Sequence, residues 1–193
     1  MPFNLPILLT WLRILAIPLL VGAFYLPAAW LSPQERNIAA TAIFIAAALT
    51  DWADGYLARK LNQTSAFGAF LDPVADKLMV ATALIMLAQL GRVDAVAAAV
   101  IIGREIAISA LREWMAKLGA SKSVAVSLLG KIKTISQMVA IPMLLFHAPF
   151  FGIDIQLLGN WLIWAAAGLT LWSMAYYLRM AWPEISRRSG NPS

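Results

Sequence analysis

Residues 50–77 read TDWADGYLARKLNQTSAFGAFLDPVADK and hold four of the ten acidic residues of the chain. The acids form two pairs, Asp51 with Asp54 and Asp72 with Asp76, spaced three and four residues apart. On helices, these spacings place both carboxylates of a pair on one face. Apolar runs border the segment on both sides. The two pairs are therefore predicted to lie at neighbouring ends of adjacent membrane helices, where a helical hairpin can bring them together.

The composition around this segment indicates a membrane protein. Of the 193 residues, 61% are hydrophobic and 13% are charged, and the mean hydropathy is +0.75. These values lie outside the range of soluble globular domains. Together, the formal charge of +5 and the hydrophobicity favour membrane lipid or phosphorylated molecules over nucleic acid as partners. We predict one membrane domain over residues 1–193.

The fold class is predicted to be an all-α integral membrane protein with six transmembrane helices. Spanning the hydrocarbon of a bilayer takes about 20 apolar residues. Three runs come close to that length: 14–31, 127–146 and 157–177. Three shorter runs span only if the helix continues into a charged flank: 38–49, 78–90 and 93–103. Residues 3–13 are predicted to form a short amphipathic surface helix ahead of the first span.

Basic residues predict the orientation of these helices. The second and fourth connections and the C-terminal tail contain most of the connecting Lys and Arg: Arg59, Lys60, Lys117, Lys122, Arg187 and Arg188. The first and third connections contain only Arg36 and Arg92, and the fifth contains neither residue type. Because cytoplasmic loops are enriched in Lys and Arg, both termini and the acidic segment are predicted to face the cytoplasm.

The four clustered carboxylates need a positive partner. An acid at the centre of a membrane helix costs about 2.5–3.5 kcal/mol, and four carboxylates also repel one another. The chain has no cysteine, and oxygen ligands favour Mg²⁺, Mn²⁺ or Ca²⁺. Four carboxylates can hold two ions, and paired Mg²⁺ ions suit a pyrophosphate substrate. Structural alternatives also exist, since Asp72 before Pro73 has the form of a helix cap.

The complete pattern from Asp51 to Asp76 is DxxDGxxAR, eight residues, then GxxxDxxxD. By chance it would arise roughly once in 10⁹ to 10¹⁰ starting positions. It resembles the signature of the CDP-alcohol phosphotransferase family. The resemblance implies a homodimeric bacterial inner-membrane enzyme that transfers a phosphatidyl group from CDP-diacylglycerol to an alcohol. It also implies that Asp51, Asp54 and Asp72 bind two Mg²⁺ or Mn²⁺ ions, and that Asp76 contacts metal and acts as general base. Four positions correspond to the family's CDP-binding residues: Gly55, Arg59, Ser65 and Gly68.

A second polar cluster, between residues 104 and 133, suggests the acceptor alcohol. Arg104 and Arg112 are eight residues apart, on one helical stripe that can hold a phosphate dianion. Anchoring to anionic lipid is the alternative for Lys117 and Lys122, and Arg104 can instead pair with Glu105. Residues 104–114 and 123–134 resemble the corresponding stretches of bacterial family members that use sn-glycerol 3-phosphate. The implied acceptor-phosphate site comprises Arg104, Arg112, Lys131 and Lys133.

Two other functions stay open at this point. The same chemistry with another acceptor would make the chain a cardiolipin, phosphatidylserine or phosphatidylinositol-phosphate synthase. A divalent-cation transporter would use the same carboxylates as a permeation site inside the membrane. Such a transporter needs access to its acids from both membrane faces, and the outer connections contribute only Glu35, Asp94 and Asp154.

Overall fold

The computed structural model describes residues 5–60, 66–117, 128–149 and 151–189 as an all-α bundle. Six helices lie in these ranges, in agreement with the predicted number: α1 Leu5–Tyr25, α2 Pro33–Lys60, α3 Ala66–Gln89, α4 Ala95–Lys117, α5 Leu128–Phe146 and α6 Ile155–Ser189. Apart from one or two terminal residues, each of the shorter apolar runs lies inside a helix that continues into its charged flank. α3 and α4 consequently carry apolar residues at one end and charged residues at the other, whereas α2 has its apolar run between a short charged first turn and the acidic segment.

Local hydrogen bonds explain where the even-numbered helices begin. The Ser32 hydroxyl accepts from the Glu35 backbone N–H at 3.3 Å, and the Glu35 carboxylate accepts from the Ser32 backbone N–H at 2.7 Å. This reciprocal pair is a capping box, and it places Pro33 at the first position of α2. Carboxylates also cap α4 and α6, since Asp94 accepts from Val96 N at 2.8 Å and Asp154 accepts from Gln156 N at 3.0 Å. The acids near the starts of α2, α4 and α6 therefore take part in capping these helices.

The first helix corrects one prediction from the sequence. Leu5–Tyr25 is one continuous helix, so residues 5–13 do not form a helix separate from residues 14–25. Thr10 is 1% exposed and Arg13 is 2% exposed, on a helix that packs against α2 and α3. Charge at Arg13 suggested a boundary at the membrane surface. It is instead neutralised inside the bundle by carboxylates from other helices, so the helix has no reason to end there.

Packing and surface composition are those of a membrane protein. One buried apolar cluster joins all six helices, and a smaller one joins α4 to α6 around the fully buried Tyr177. By length and composition, two segments among the described residues are able to cross a membrane, Ile7–Tyr25 and Ile155–Trp182. Their outward faces carry large apolar side chains, including Leu19 and Trp161, which are 61% and 69% exposed. Lipid is the environment that such faces require.

Candidate active site

The acidic pairs of α2 and α3 are held together by an arginine from α1. Arg13 Nη1 lies 3.0 Å from Asp51 Oδ1 and 2.5 Å from Asp76 Oδ1. The Arg13 side chain is only 1% exposed, whereas those of Asp51 and Asp76 are 39% and 35% exposed. One nitrogen therefore bridges carboxylates from two helices. Charge-assisted contacts of this kind are the strongest hydrogen bonds available to side chains.

A second residue of α1 contacts a third member of the acidic cluster. The Thr10 hydroxyl donates to Asp72 Oδ1. Thr10 precedes Arg13 by three residues, so both side chains lie on the same face of α1. The structural alternative in which Asp72 caps a helix starting at Pro73 is wrong, because α3 begins at Ala66 and includes Pro73. Asp51, Asp72 and Asp76 are thus all contacted by a single turn of α1.

The donor set of this acidic cluster fits a hard divalent cation. Carboxylate oxygens of Asp51 and Asp76 lie close enough together to share one positive atom, and both side chains are partly open. Oxygen donors arranged around a cation are what Mg²⁺ and Mn²⁺ prefer. Among the described side chains, no group of three acids or histidines forms a candidate metal site. The Asp54 side chain lies outside the described residues, so the four-aspartate metal site stays a prediction.

A cavity of about 450 Å³ opens beside the acidic cluster. Asp51 and Asp76 line one part of its wall, and Arg104 and Arg112 from α4 line another. The aspartates and these two arginines of the predicted acceptor site are therefore brought to one cavity, although 53 residues separate Asp51 from Arg104 in the sequence. α5 completes the wall with Thr134, Gln137 and Met138.

Arg104 is buried within a small polar network. Its side chain is 6% exposed, and its guanidinium donates to Ser173 Oγ at 2.9 Å and to Glu105 Oε1 at 3.3 Å. The Arg104–Glu105 pairing that the sequence left as an alternative is present. Glu105 also pairs with Lys133, whose side chain is 1% exposed. One carboxylate thus supports two basic residues, which leaves the group with a net positive charge beside the cavity.

Arg112 is held by an aromatic residue of α6. One of its Nη atoms donates to the Tyr177 hydroxyl at 3.2 Å, and its guanidinium lies 5.2 Å from the centre of the same ring. Tyr177 is fully buried and holds the Arg112 guanidinium in position. The Nε atoms of Arg104 and Arg112 are buried and have no hydrogen-bond partner among the described residues. Each arginine therefore has one buried donor that no described residue satisfies.

Several predicted site residues are not tested by this geometry. Gly68 is buried in the first turn of α3. Gly55 and Arg59 belong to α2, but the burial of Gly55 and the side chain of Arg59 lie outside the described features. Ser65 and the Lys131 side chain also lie outside the described residues. Lys117, expected to act as a surface anchor, is exposed and pairs with Glu113 at 2.9 Å.

Sequence reasoning missed three polar residues of the site. Thr10 and Arg13 belong to the segment that was predicted to lie on the membrane surface. A buried cation at membrane depth is costly without a partner, so the four clustered acids downstream were a signal that Arg13 points inward. Gln137 is the last polar residue before the apolar C-terminal part of α5 and is 4% exposed at the cavity wall. An amide that begins an apolar run was the signal for that residue.

Comparison with known proteins agrees with this arrangement. A family model described as CDP-alcohol phosphatidyltransferase matches residues 3–172. Similar curated proteins from Shigella flexneri serotype 5b (strain 8401) and Escherichia coli (strain K12) are both named CDP-diacylglycerol–glycerol-3-phosphate 3-phosphatidyltransferase. Each is 52% identical over 187 residues, which cover 96% of this chain and 98% of the relative. The match thus includes the acidic segment, the basic cluster and the residues of α1 that contact the aspartates.

Proposed function

The chain belongs to the CDP-alcohol phosphatidyltransferase family, and we propose that it transfers the phosphatidyl group of CDP-diacylglycerol to sn-glycerol 3-phosphate. The products are phosphatidylglycerophosphate and CMP, as the names of its 52% identical relatives imply. The observation that carries the proposal is the single cavity that acids and arginines line together. Carboxylates can bind the metal ions that hold a pyrophosphate and can take a proton from an acceptor hydroxyl. Arginines can bind the phosphate of the acceptor.

The donor half of the site is proposed at the acidic ends of α2 and α3. Asp51, Asp54, Asp72 and Asp76 are the proposed ligands of two Mg²⁺ or Mn²⁺ ions. Bound there, the ions would neutralise charge on the pyrophosphate as CMP leaves. The cytidine diphosphate group is proposed to contact the family-signature positions Gly55, Arg59, Ser65 and Gly68. Small residues let a nucleotide approach the helix backbone, and an arginine can bind a phosphate through two nitrogens.

Asp76 is proposed to act as the general base. Its carboxylate faces the cavity and takes the proton of the acceptor hydroxyl as that oxygen bonds to the β-phosphorus of CDP-diacylglycerol. The bond between this phosphorus and the bridging oxygen breaks, and CMP leaves with the electron pair. Contact with Arg13 fixes the direction of the Asp76 carboxylate. No covalent intermediate with the protein is required.

The acceptor half is proposed around Arg104, Arg112, Lys131 and Lys133. Arg104 and Arg112 line the cavity, and each has a buried Nε that lacks a partner among the described residues. A phosphate dianion would satisfy both donors and the net positive charge of the group. This requirement favours sn-glycerol 3-phosphate over serine, which carries no phosphate.

The proposed setting is the bacterial inner membrane. All six helices are proposed to cross the bilayer, with both termini and the cavity on the cytoplasmic side, because Lys and Arg are concentrated in the second and fourth connections and the tail. CDP-diacylglycerol would reach the site from the surrounding lipid. A homodimer is the proposed assembly, on the basis of family membership.

Turnover with defined acceptors tests this function. The purified full chain in detergent micelles is supplied with CDP-diacylglycerol, Mg²⁺ and one alcohol at a time, and CMP release is followed. We expect release with sn-glycerol 3-phosphate, and its loss when EDTA removes divalent ions. Release with serine, inositol phosphate or phosphatidylglycerol alone would assign another acceptor. Uptake of Mn²⁺ into protein-containing vesicles without CMP release would instead indicate a transporter.

A further inference from the structure

The cavity wall contains a buried polar group that the proposed chemistry leaves unused. Gln137, on α5, is 4% exposed, and its Nε2 has no hydrogen-bond partner among the described residues. Of the described residues that line the cavity, three have such an unpartnered buried nitrogen: Arg104, Arg112 and Gln137. Gln137 is the neutral member of this set. The two arginines are proposed to bind the acceptor phosphate, so the amide of Gln137 has no assigned ligand.

A buried amide without a partner is energetically costly. Leaving such a donor unsatisfied costs about 1–3 kcal/mol, and most buried side-chain amides in folded proteins are hydrogen-bonded. The cost is offset when a ligand oxygen accepts from the amide N–H. An uncharged amide that can both donate and accept complements a hydroxyl, whereas an anion is bound better by the neighbouring guanidinium groups. The chemistry of Gln137 therefore selects an alcohol oxygen.

The position of Gln137 on α5 brings it near both ends of the acceptor. Thr134, Gln137 and Met138 line the cavity together, which puts them on one face of α5. Met138 also borders the narrow space between Arg13, Asp51 and Asp76. The face that carries Gln137 thus reaches the acidic cluster, while the same cavity extends to the arginines of α4.

We propose that Gln137 is a specificity-determining residue that donates a hydrogen bond to the secondary hydroxyl of the acceptor. This inference rests on the proposed function, in which Asp76 receives the proton of the reacting primary hydroxyl and the arginines of α4 bind the phosphate. The secondary hydroxyl is then the remaining polar group of the acceptor. Its hydrogen bond to Gln137 orients the three-carbon chain between the two ends of the cavity and rejects acceptors that lack this hydroxyl.

A pair of acceptors that differ only in this hydroxyl provides the test. sn-Glycerol 3-phosphate is compared with 3-hydroxypropyl phosphate, which keeps the phosphate and the primary hydroxyl. We expect the wild-type enzyme to prefer glycerol 3-phosphate by roughly tenfold or more in kcat/KM, because the analogue leaves the buried amide unsatisfied. In Gln137→Met, which keeps the side-chain volume without polar atoms, we expect that preference to fall below about twofold. The KM for CDP-diacylglycerol should not change.

Thr170→Val is the matched control. Thr170 is also fully buried, and its hydroxyl has no partner among the described residues, but it lies on α6 and does not line the cavity. Removing this hydroxyl should leave the preference between the two acceptors at the wild-type value. This control distinguishes the loss of a contact with the substrate, expected in Gln137→Met, from the general effect of removing an unsatisfied buried polar group.

The possible results distinguish this inference from the proposed function. If the wild-type enzyme releases no CMP with glycerol 3-phosphate, the proposed function itself is refuted. If wild-type turnover occurs without preference for glycerol 3-phosphate, or Gln137→Met keeps the preference, the role of Gln137 is refuted. Gln137→Ala must give the same loss of preference as Gln137→Met. Inactivity of both variants with both acceptors also refutes the role, since a residue that only contacts the acceptor is not needed for the fold.

Discussion

Replacing Arg13 with glutamine removes a buried cation that contacts Asp51 at 3.0 Å and Asp76 at 2.5 Å. Breaking a fully buried ion pair by removing one partner costs about 3–5 kcal/mol. Here the two carboxylates are 39% and 35% exposed, so water screens part of their repulsion once the arginine is gone. We therefore expect Arg13→Gln to lower the free energy of unfolding by about 2 kcal/mol in the absence of divalent ions.

Thermal unfolding in detergent micelles measures this loss. For a chain of this length, about 2 kcal/mol corresponds to a decrease of roughly 4–8 °C in Tm. The deficit should shrink when Mg²⁺ is added, because an ion bound by the aspartates neutralises the same charges. It should also shrink in the double variant Arg13→Gln with Asp51→Asn, which removes one of the two repelling carboxylates.

Arg36→Gln is the matched control for this series. Arg36 is also a helical arginine, but its Nε donates to the backbone carbonyl of Leu31 at 3.1 Å, and the structure gives it no ion pair within the described residues. Its replacement should change Tm by less than the Arg13 variant and should show no response to Mg²⁺. If Arg13→Gln and Arg36→Gln unfold at the same temperature in EDTA, the bridge between the aspartates contributes nothing to stability and the reasoning is refuted.

Three further substitutions and one control test the chemistry and the packing. Asp76→Asn should abolish CMP release and retain binding of CDP-diacylglycerol in an equilibrium assay, and turnover at the wild-type rate would remove Asp76 from the base role. Arg104→Ala should raise the KM for glycerol 3-phosphate at least tenfold more than the KM for CDP-diacylglycerol, whereas equal increases would point to a folding defect. Gly159→Ala should lower the free energy of unfolding by about 1–3 kcal/mol, because the new Cβ would lie 2.8 Å from Cγ of the fully buried Leu144. Gly168→Ala, which meets open space, should cause no loss in the same thermal unfolding measurement.

The number of helices and several of their ends follow from local sequence. Three apolar runs near spanning length, and three shorter ones extended by charged flanks, predicted six helices, and the Ser32–Glu35 capping box placed the start of α2. These features depend on residues within a few positions of one another, so a sequence pattern contains them. The spacing of Asp51 and Asp76 within their motifs likewise predicted that the acids would share one region, and Arg13 contacts both.

Contacts between distant helices are what the sequence could not provide. Arg13 is separated from Asp76 by 63 positions, and Thr10 from Asp72 by 62. The sequence around Arg13 is apolar apart from Thr10 and this one charge, which is also the pattern of a helix that ends at a membrane surface. Only the packing of α1 against α2 and α3 identifies the partner of that charge. The error about the surface helix and the failure to identify Arg13 as a site residue therefore have the same cause.

The distribution of charge around the cavity explains how an acceptor would be oriented. At one end, the carboxylates of Asp51 and Asp76 contact the guanidinium of Arg13, and they are the proposed ligands of the divalent ions. At the other, Glu105 supports both Arg104 and Lys133, so positive charge remains. A phosphate dianion gains electrostatic energy at this basic end, and the hydroxyl at the other end of such a molecule then points toward the proposed base, Asp76. An uncharged alcohol would gain no such preference, which is the physical reason to expect a phosphorylated acceptor here.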